Sequence, residues 1–116
     1  MLSVDPSTAP FLRIRASGWL RAADYERFEP KFADALRLRT RPLPLLLDMR
    51  GFRGWTPAGF VRDLRWDIRN RATFSKIAVL GDARWHELIT LAGAPLFRAP
   101  MKYFHAKDEA EAWLAA

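Results

Sequence analysis

Leu43-Pro44-Leu45-Leu46-Leu47-Asp48-Met49 and, further along, Lys76-Ile77-Ala78-Val79-Leu80-Gly81 decide the fold class. Each is a near-continuous apolar run of strand length, the pattern of a strand covered on both faces. Between them Thr56-Pro57 opens a helix, with a hydroxyl at the N-cap and a proline at the first helical position, where its missing N–H costs nothing. This helix is predicted to run to about Arg69, with Phe60, Val61, Leu64 and Ile68 as its core stripe. Two buried strands joined by a helix imply a parallel pair and a right-handed crossover.

Working outward, Leu12, Ile14 and Ala16 alternate with Arg13 and Arg15, which reads as a half-buried strand ended by Ser17-Gly18. From Arg21 to about Arg39 the pattern is helical, with Tyr25, Phe28, Phe32 and Leu36 on one face. Pro30 is expected to interrupt it, giving a short helix over residues 22 to 28 and a kink or fresh start near Glu29. Gly51-Phe52-Arg53-Gly54 reads as loop. Asp82 is expected to cap a third helix with the stripe Trp85, Leu88, Ile89 and Ala92, stopped by Gly93 and Pro95. Arg98 to His105 reads as a last strand, and Asp108 to Ala115 as a closing helix anchored by Trp113 and Leu114. Residues 1–10, with Pro6 and Pro10, read as a tail or irregular edge segment. The expectation is one α/β domain over residues 1–116: alternating β and α elements in layers, with a mainly parallel central sheet covered by helices.

At 116 residues and 13.4 kDa the chain has room for one domain, and at 50% apolar it can fill a core. The absence of cysteine excludes disulfides, thiolate catalysis and thiolate-held metals. No apolar run approaches the roughly 20 residues of a membrane span, and the N-terminus lacks the pattern of a signal peptide, so a soluble, cytoplasmic protein is expected. The net charge of +6 lies in one place. Residues 37–71 hold nine arginines against three aspartates, and everything outside sums to zero. Such a stretch reads first as a solvated basic face and second as an anion-facing surface.

At this point four segments carry a resemblance. Gly18-Trp19-Leu20 followed by Asp24-Tyr25 resembles the G-x-L-T-x-x-D-Y opening of the SpoIIAA-like (STAS/SEC14-related) family of small bacterial proteins. In the same order and spacing follow Leu47-Asp48-Met49 with Phe52-Arg53-Gly54-Trp55, then Ile77 to Asp82 with Trp85, then Phe104 with Glu109-Ala110 and Trp113-Leu114. The resemblance implies a STAS-like layer fold and no particular activity. Relatives that act as anti-sigma-factor antagonists carry a phosphorylatable serine where the helix after a central strand begins. The matching residue here is Thr56, the regulatory candidate, although no Asp-Ser-Ser-Gly segment is present and Pro57 follows directly.

No catalytic constellation emerges: there is no nucleophile elbow, no phosphate loop and no metal-ligand spacing, so an enzyme, a cofactor and a metal are not expected. His86 reads as a surface or boundary residue. Asp48, with Arg50 and Arg53, lies where ligands gather beyond the ends of parallel strands, and these three are ligand-binding candidates; a plain Asp48–Arg pair is the simpler reading. Trp66 falls about 240° around its helix from Phe60, among Arg62, Arg69 and Asp63, and is expected to be exposed. Phe52, Trp55, Arg62, Trp66 and Arg69 are therefore the interface candidates, since tryptophan and arginine are enriched at hot spots. The functional expectation is a non-catalytic binding or regulatory module that meets a protein partner, or a second copy as a homodimer, through the helix starting near Thr56. The alternative, from the SEC14-related side of the resemblance, is a lipid-like or other apolar anionic ligand held between helices and sheet with arginines at the mouth. Nucleic acid ranks third, because the aromatics fall mostly on core stripes.

Overall fold

The two deciding runs are interior strands of the main sheet. The computed structural model describes residues 1–5 and 10–116. In chain order these form β1 (Leu2–Asp5), β2 (Leu12–Ala16), β3 (Gly18–Leu20), α1 (Ala22–Arg37), β4 (Leu43–Asp48), β5 (Phe52–Trp55) and α2 (Pro57–Arg69). There follow β6 (Phe74–Leu80), α3 (Arg84–Gly93), a single 3-10 turn (Ala94–Leu96), β7 (Met101–Phe104) and α4 (Lys107–Ala115). The main sheet has the order β1-β2-β4-β6-β7, with β3 and β5 paired separately. Every neighbour in the main sheet is parallel except β1, which runs antiparallel to β2. This is the expected α/β layer fold.

Register sorts the core by the strand period of two. Leu45 stands opposite Ile77, and Leu47 opposite Val79. These four side chains belong to the larger core, which includes Phe28 of α1, Trp66 of α2 and Ile89 of α3. Leu46, Ala78 and Leu80 point the other way, onto Ala110 and Leu114 of α4. Three helices therefore cover one face and a single short helix covers the other.

Several expectations need correction. Of the segment 1–10, residues 2–5 form an edge strand, the second of its two readings, while Pro6 to Ala9 lie outside the described residues. α1 runs straight through Pro30, because Tyr25, Phe28, Phe32 and Leu36 are buried on both sides of it. Pro30 and Glu26 are both exposed, so the carbonyl one turn back that loses its N–H partner lies on the water side. The Gly51–Gly54 loop is partly strand β5, with Gly51 and Gly54 at φ 82° and 134°, values only glycine adopts freely. Asp82 does not cap α3. Its carboxylate accepts the Gly51 N–H at 3.2 Å, and Ala83 takes the N-cap position.

The largest departure is the rotation of α2 and α3. Trp66 is 7% exposed, whereas Phe60, Val61 and Ile68 of the predicted core stripe are 44%, 47% and 54% exposed. Two contacts set this orientation. Gly59 lies so close to β3 that a Cβ there would sit 2.2 Å from the Leu20 carbonyl oxygen, so only a bare backbone can approach. Trp66 fills a slot between Phe28, Phe32 and Phe74, with ring centroids 5.9, 5.1 and 6.1 Å away. On α3 the buried residues are His86 and Thr90, and Leu88 and Leu91 face out. His86 is thus a core residue. Its Nδ1 accepts the Asp82 backbone N–H at 3.2 Å, so its Nε2 carries the proton and donates to the Phe52 carbonyl at 2.9 Å. A neutral imidazole with both nitrogens satisfied can be buried at little cost.

Candidate functional site

With Val61 and Ile68 of α2 and Leu88 and Leu91 of α3 facing outward, part of the space above the sheet is unfilled. The result is a cavity of about 240 Å³ between the two helices. Its floor is Ile14, Leu45, Leu47, Ile77, Val79 and Met101 from the sheet, and its α3 wall is Ile89 and Thr90. The α2 wall is Phe60, Asp63, Leu64, Trp66 and Asp67. The lining is overwhelmingly apolar, with a few convergent polar groups, which is the usual composition of a small-molecule site.

Those polar groups form a chain. The Trp55 indole N–H donates to the Tyr25 hydroxyl at 3.0 Å, and Tyr25 donates to Asp63 Oδ1 at 2.7 Å. Asp63 in turn is hydrogen-bonded to Asp67, one helical turn on. Burial drives the titration of all three. It raises the Asp63 carboxyl, and together with the charge of Asp63 it pushes Asp67 up to about 9. Burial and the neighbouring Asp63 also raise the Tyr25 phenol, so it stays a donor. Two carboxyl groups thus share a proton in an apolar wall. Among the described residues neither forms an ion pair. Beside them the Trp66 indole nitrogen is buried with no hydrogen-bond partner.

The interface candidates do not assemble into one exposed patch. Phe52 and Trp66 are buried, and Trp55 is half-buried against Phe52 at 4.8 Å. Arg62 turns to α1, pairing with Glu26 at 3.2 Å and Glu29 at 3.5 Å; Arg69 reaches Glu29 at 3.9 Å. Of the five only Arg69 is exposed: Trp66 is turned inward by the rotation of α2, Arg62 is drawn onto α1, and Phe52 and Trp55 lie on β5, where the sequence reads as loop. The ligand candidates lie elsewhere too. Asp48 accepts from the backbone N–H, Nε and Nη2 of Arg50 at 3.1, 3.0 and 2.8 Å. Although burial raises its carboxyl, these bonds and the Arg50 charge hold it below the usual range. Arg53 lines a separate shallow groove with Trp19 and Trp85, and among the described residues no arginine lines the cavity. Thr56 caps α2: its Oγ1 accepts the Gly59 N–H at 3.1 Å and leans on the Leu20 carbonyl at 3.4 Å.

Comparison with known proteins agrees with this architecture. A family model described as SpoIIAA-like matches residues 11–115. The chain belongs to the SpoIIAA-like family. Its fold is similar to the crystal structure of an uncharacterised protein of the DUF3478 family, with a SpoIIAA-like fold, from Shewanella loihica PV-4. The TM-score is 0.84 at 24% identity, over 98% of this chain and 92% of that one. No curated protein matches. Among the described residues of this SpoIIAA-like protein no three His, Asp or Glu side chains converge as metal ligands, and no helix is long and apolar enough to cross a membrane. The polar wall was missed from sequence, yet a signal is there: the like-charged Asp63 and Asp67 stand one helical turn apart, with Trp66 between them.

Proposed function

We propose that this SpoIIAA-like protein is a cytoplasmic, non-catalytic binding module that takes a lipid-like small molecule in the cavity between α2, α3 and the sheet. One observation carries this: an apolar space of about 240 Å³ is left between two helices, while Val61 and Ile68 of α2 and Leu88 and Leu91 of α3 face outward instead of filling it. Leaving it unfilled forfeits packing that an apolar ligand restores, so such a ligand stabilises the fold. Protein purified from cells should release an apolar molecule into organic solvent on denaturation. Once stripped, it should melt several degrees higher when an amphiphile is added. A clean extract together with no thermal shift from amines, alcohols or fatty acids removes this reading.

A second reading is favoured by the outer face of α2. Val61 and Ile68 there, with Leu88 and Leu91 of α3, are exposed apolar side chains around the cavity that a partner could cover. We propose that this face meets a protein partner, most simply a second copy across a two-fold axis. The protein should then scatter light as a dimer at high micromolar concentration, and Ile68→Lys should make it a folded monomer. A monomeric parent protein at that concentration rejects the homodimer.

A further inference from the structure

We infer that the cavity selects an amphiphile with a cationic head, a long-chain amine or better a long-chain amino alcohol, whose ammonium lies between Asp63 and Asp67. This rests on the cavity being a ligand site and adds the chemistry of the head group. Asp63, Trp66 and Asp67 stand at i, i+3 and i+4 of α2, so they share one face, and all three line the cavity. Among the described residues the acids have no cation paired with them. Arg62, the nearest in sequence, is engaged with Glu26 and Glu29 on α1. An acidic wall of half-buried carboxyls in an apolar space, on a chain rich in arginine, is therefore uncompensated locally, and charge withdrawn from water is costly unless paired. The proton retained by the pair up to about pH 9 marks the same deficit.

The second feature is independent of charge. Trp66 is 7% exposed and lines the cavity, and its indole N–H has no acceptor. Buried donors are nearly always satisfied, so an acceptor is expected on whatever fills the space. An ammonium has none to give, but a hydroxyl oxygen beside it does. A fatty-acid head would satisfy the indole while placing a third carboxylate against two acids, which opposes binding. The arginines once expected at the mouth of an anion site are absent from the lining.

The test compares decylamine, 2-amino-1-decanol, decanol and decanoate at neutral pH, below their micellar concentrations, by calorimetry and intrinsic tryptophan fluorescence. The amine should bind at least about tenfold tighter than decanoate, with decanol between and the amino alcohol tightest. In the Asp63→Asn/Asp67→Asn protein the preference for amine over decanol should vanish while decanol still binds, which also shows that the cavity survives. Decanoate binding as tightly as the amine, or a double variant that keeps the amine preference, overturns the head-group inference and leaves the cavity reading standing. If none of the four binds, the cavity reading itself fails and the inference falls with it.

Discussion

Gly59→Ala will destabilise the protein by about 3 kcal/mol, although alanine in place of glycine inside a helix ordinarily stabilises by about 1 kcal/mol. The sign reverses because the added Cβ would lie 2.2 Å from the Leu20 oxygen and 3.0 Å from its carbon. That carbonyl cannot simply step aside, since it accepts the Thr56 N–H at 2.9 Å, the bond that ties the start of α2 to β3. Either α2 lifts from β3 or the pairing of β3 with β5 shears. Both changes unseat Trp66 from its slot and deform the α2 wall of the cavity. Urea unfolding followed by tryptophan fluorescence reads the loss directly. A variant as stable as the parent would mean that α2 does not rest on β3, and the orientation that creates the cavity would go with it.

Much of the fold was legible in the sequence, for definite physical reasons. β4 and β6 are covered on both faces, so their runs are apolar whatever the details, and α1 presents one clear stripe to one core. β3 and β5, at three and four residues, are too short for any periodicity to show. The orientation of α2 failed for a different reason. Ranking its faces by hydrophobicity puts Phe60, Val61, Leu64 and Ile68 inside. What turns the helix is tertiary: a glycine that must touch a backbone, an indole that fits among three phenylalanines, and a phenol that holds Asp63. A helix beside an unfilled space need not bury its most apolar face. The like-charged Asp63 and Asp67, one turn apart, carried a usable warning, because such a pair is unfavourable unless something compensates it.

Asp67→Asn will raise stability by about 2 kcal/mol at pH 8 and flatten its dependence on pH. Burial and Asp63 push the Asp67 carboxyl up to about 9 from an ordinary 3.8. Between those values the folded chain binds more protons than the unfolded one, so stability is greatest in acid and falls as pH rises through the window. Asparagine keeps the shape and the donor of the protonated acid and has nothing to ionise. The gain stays at a few kcal/mol because Asp63 and Asp67 titrate as a pair, and Asp63 retains its bond from Tyr25. Urea melts of parent and variant at pH 5 and pH 8 measure it: the two should be close in acid and diverge in alkali. Equal stabilities at pH 8 would show that the pair is already compensated, and would remove the need for a cationic occupant. If the variant is more stable, and its amine binding is lost, then the half-buried acid costs the folded chain stability that a single-atom change would recover. A residue that weakens its own fold in this way fits a role in holding a ligand, the usual exchange of stability for function at a binding site.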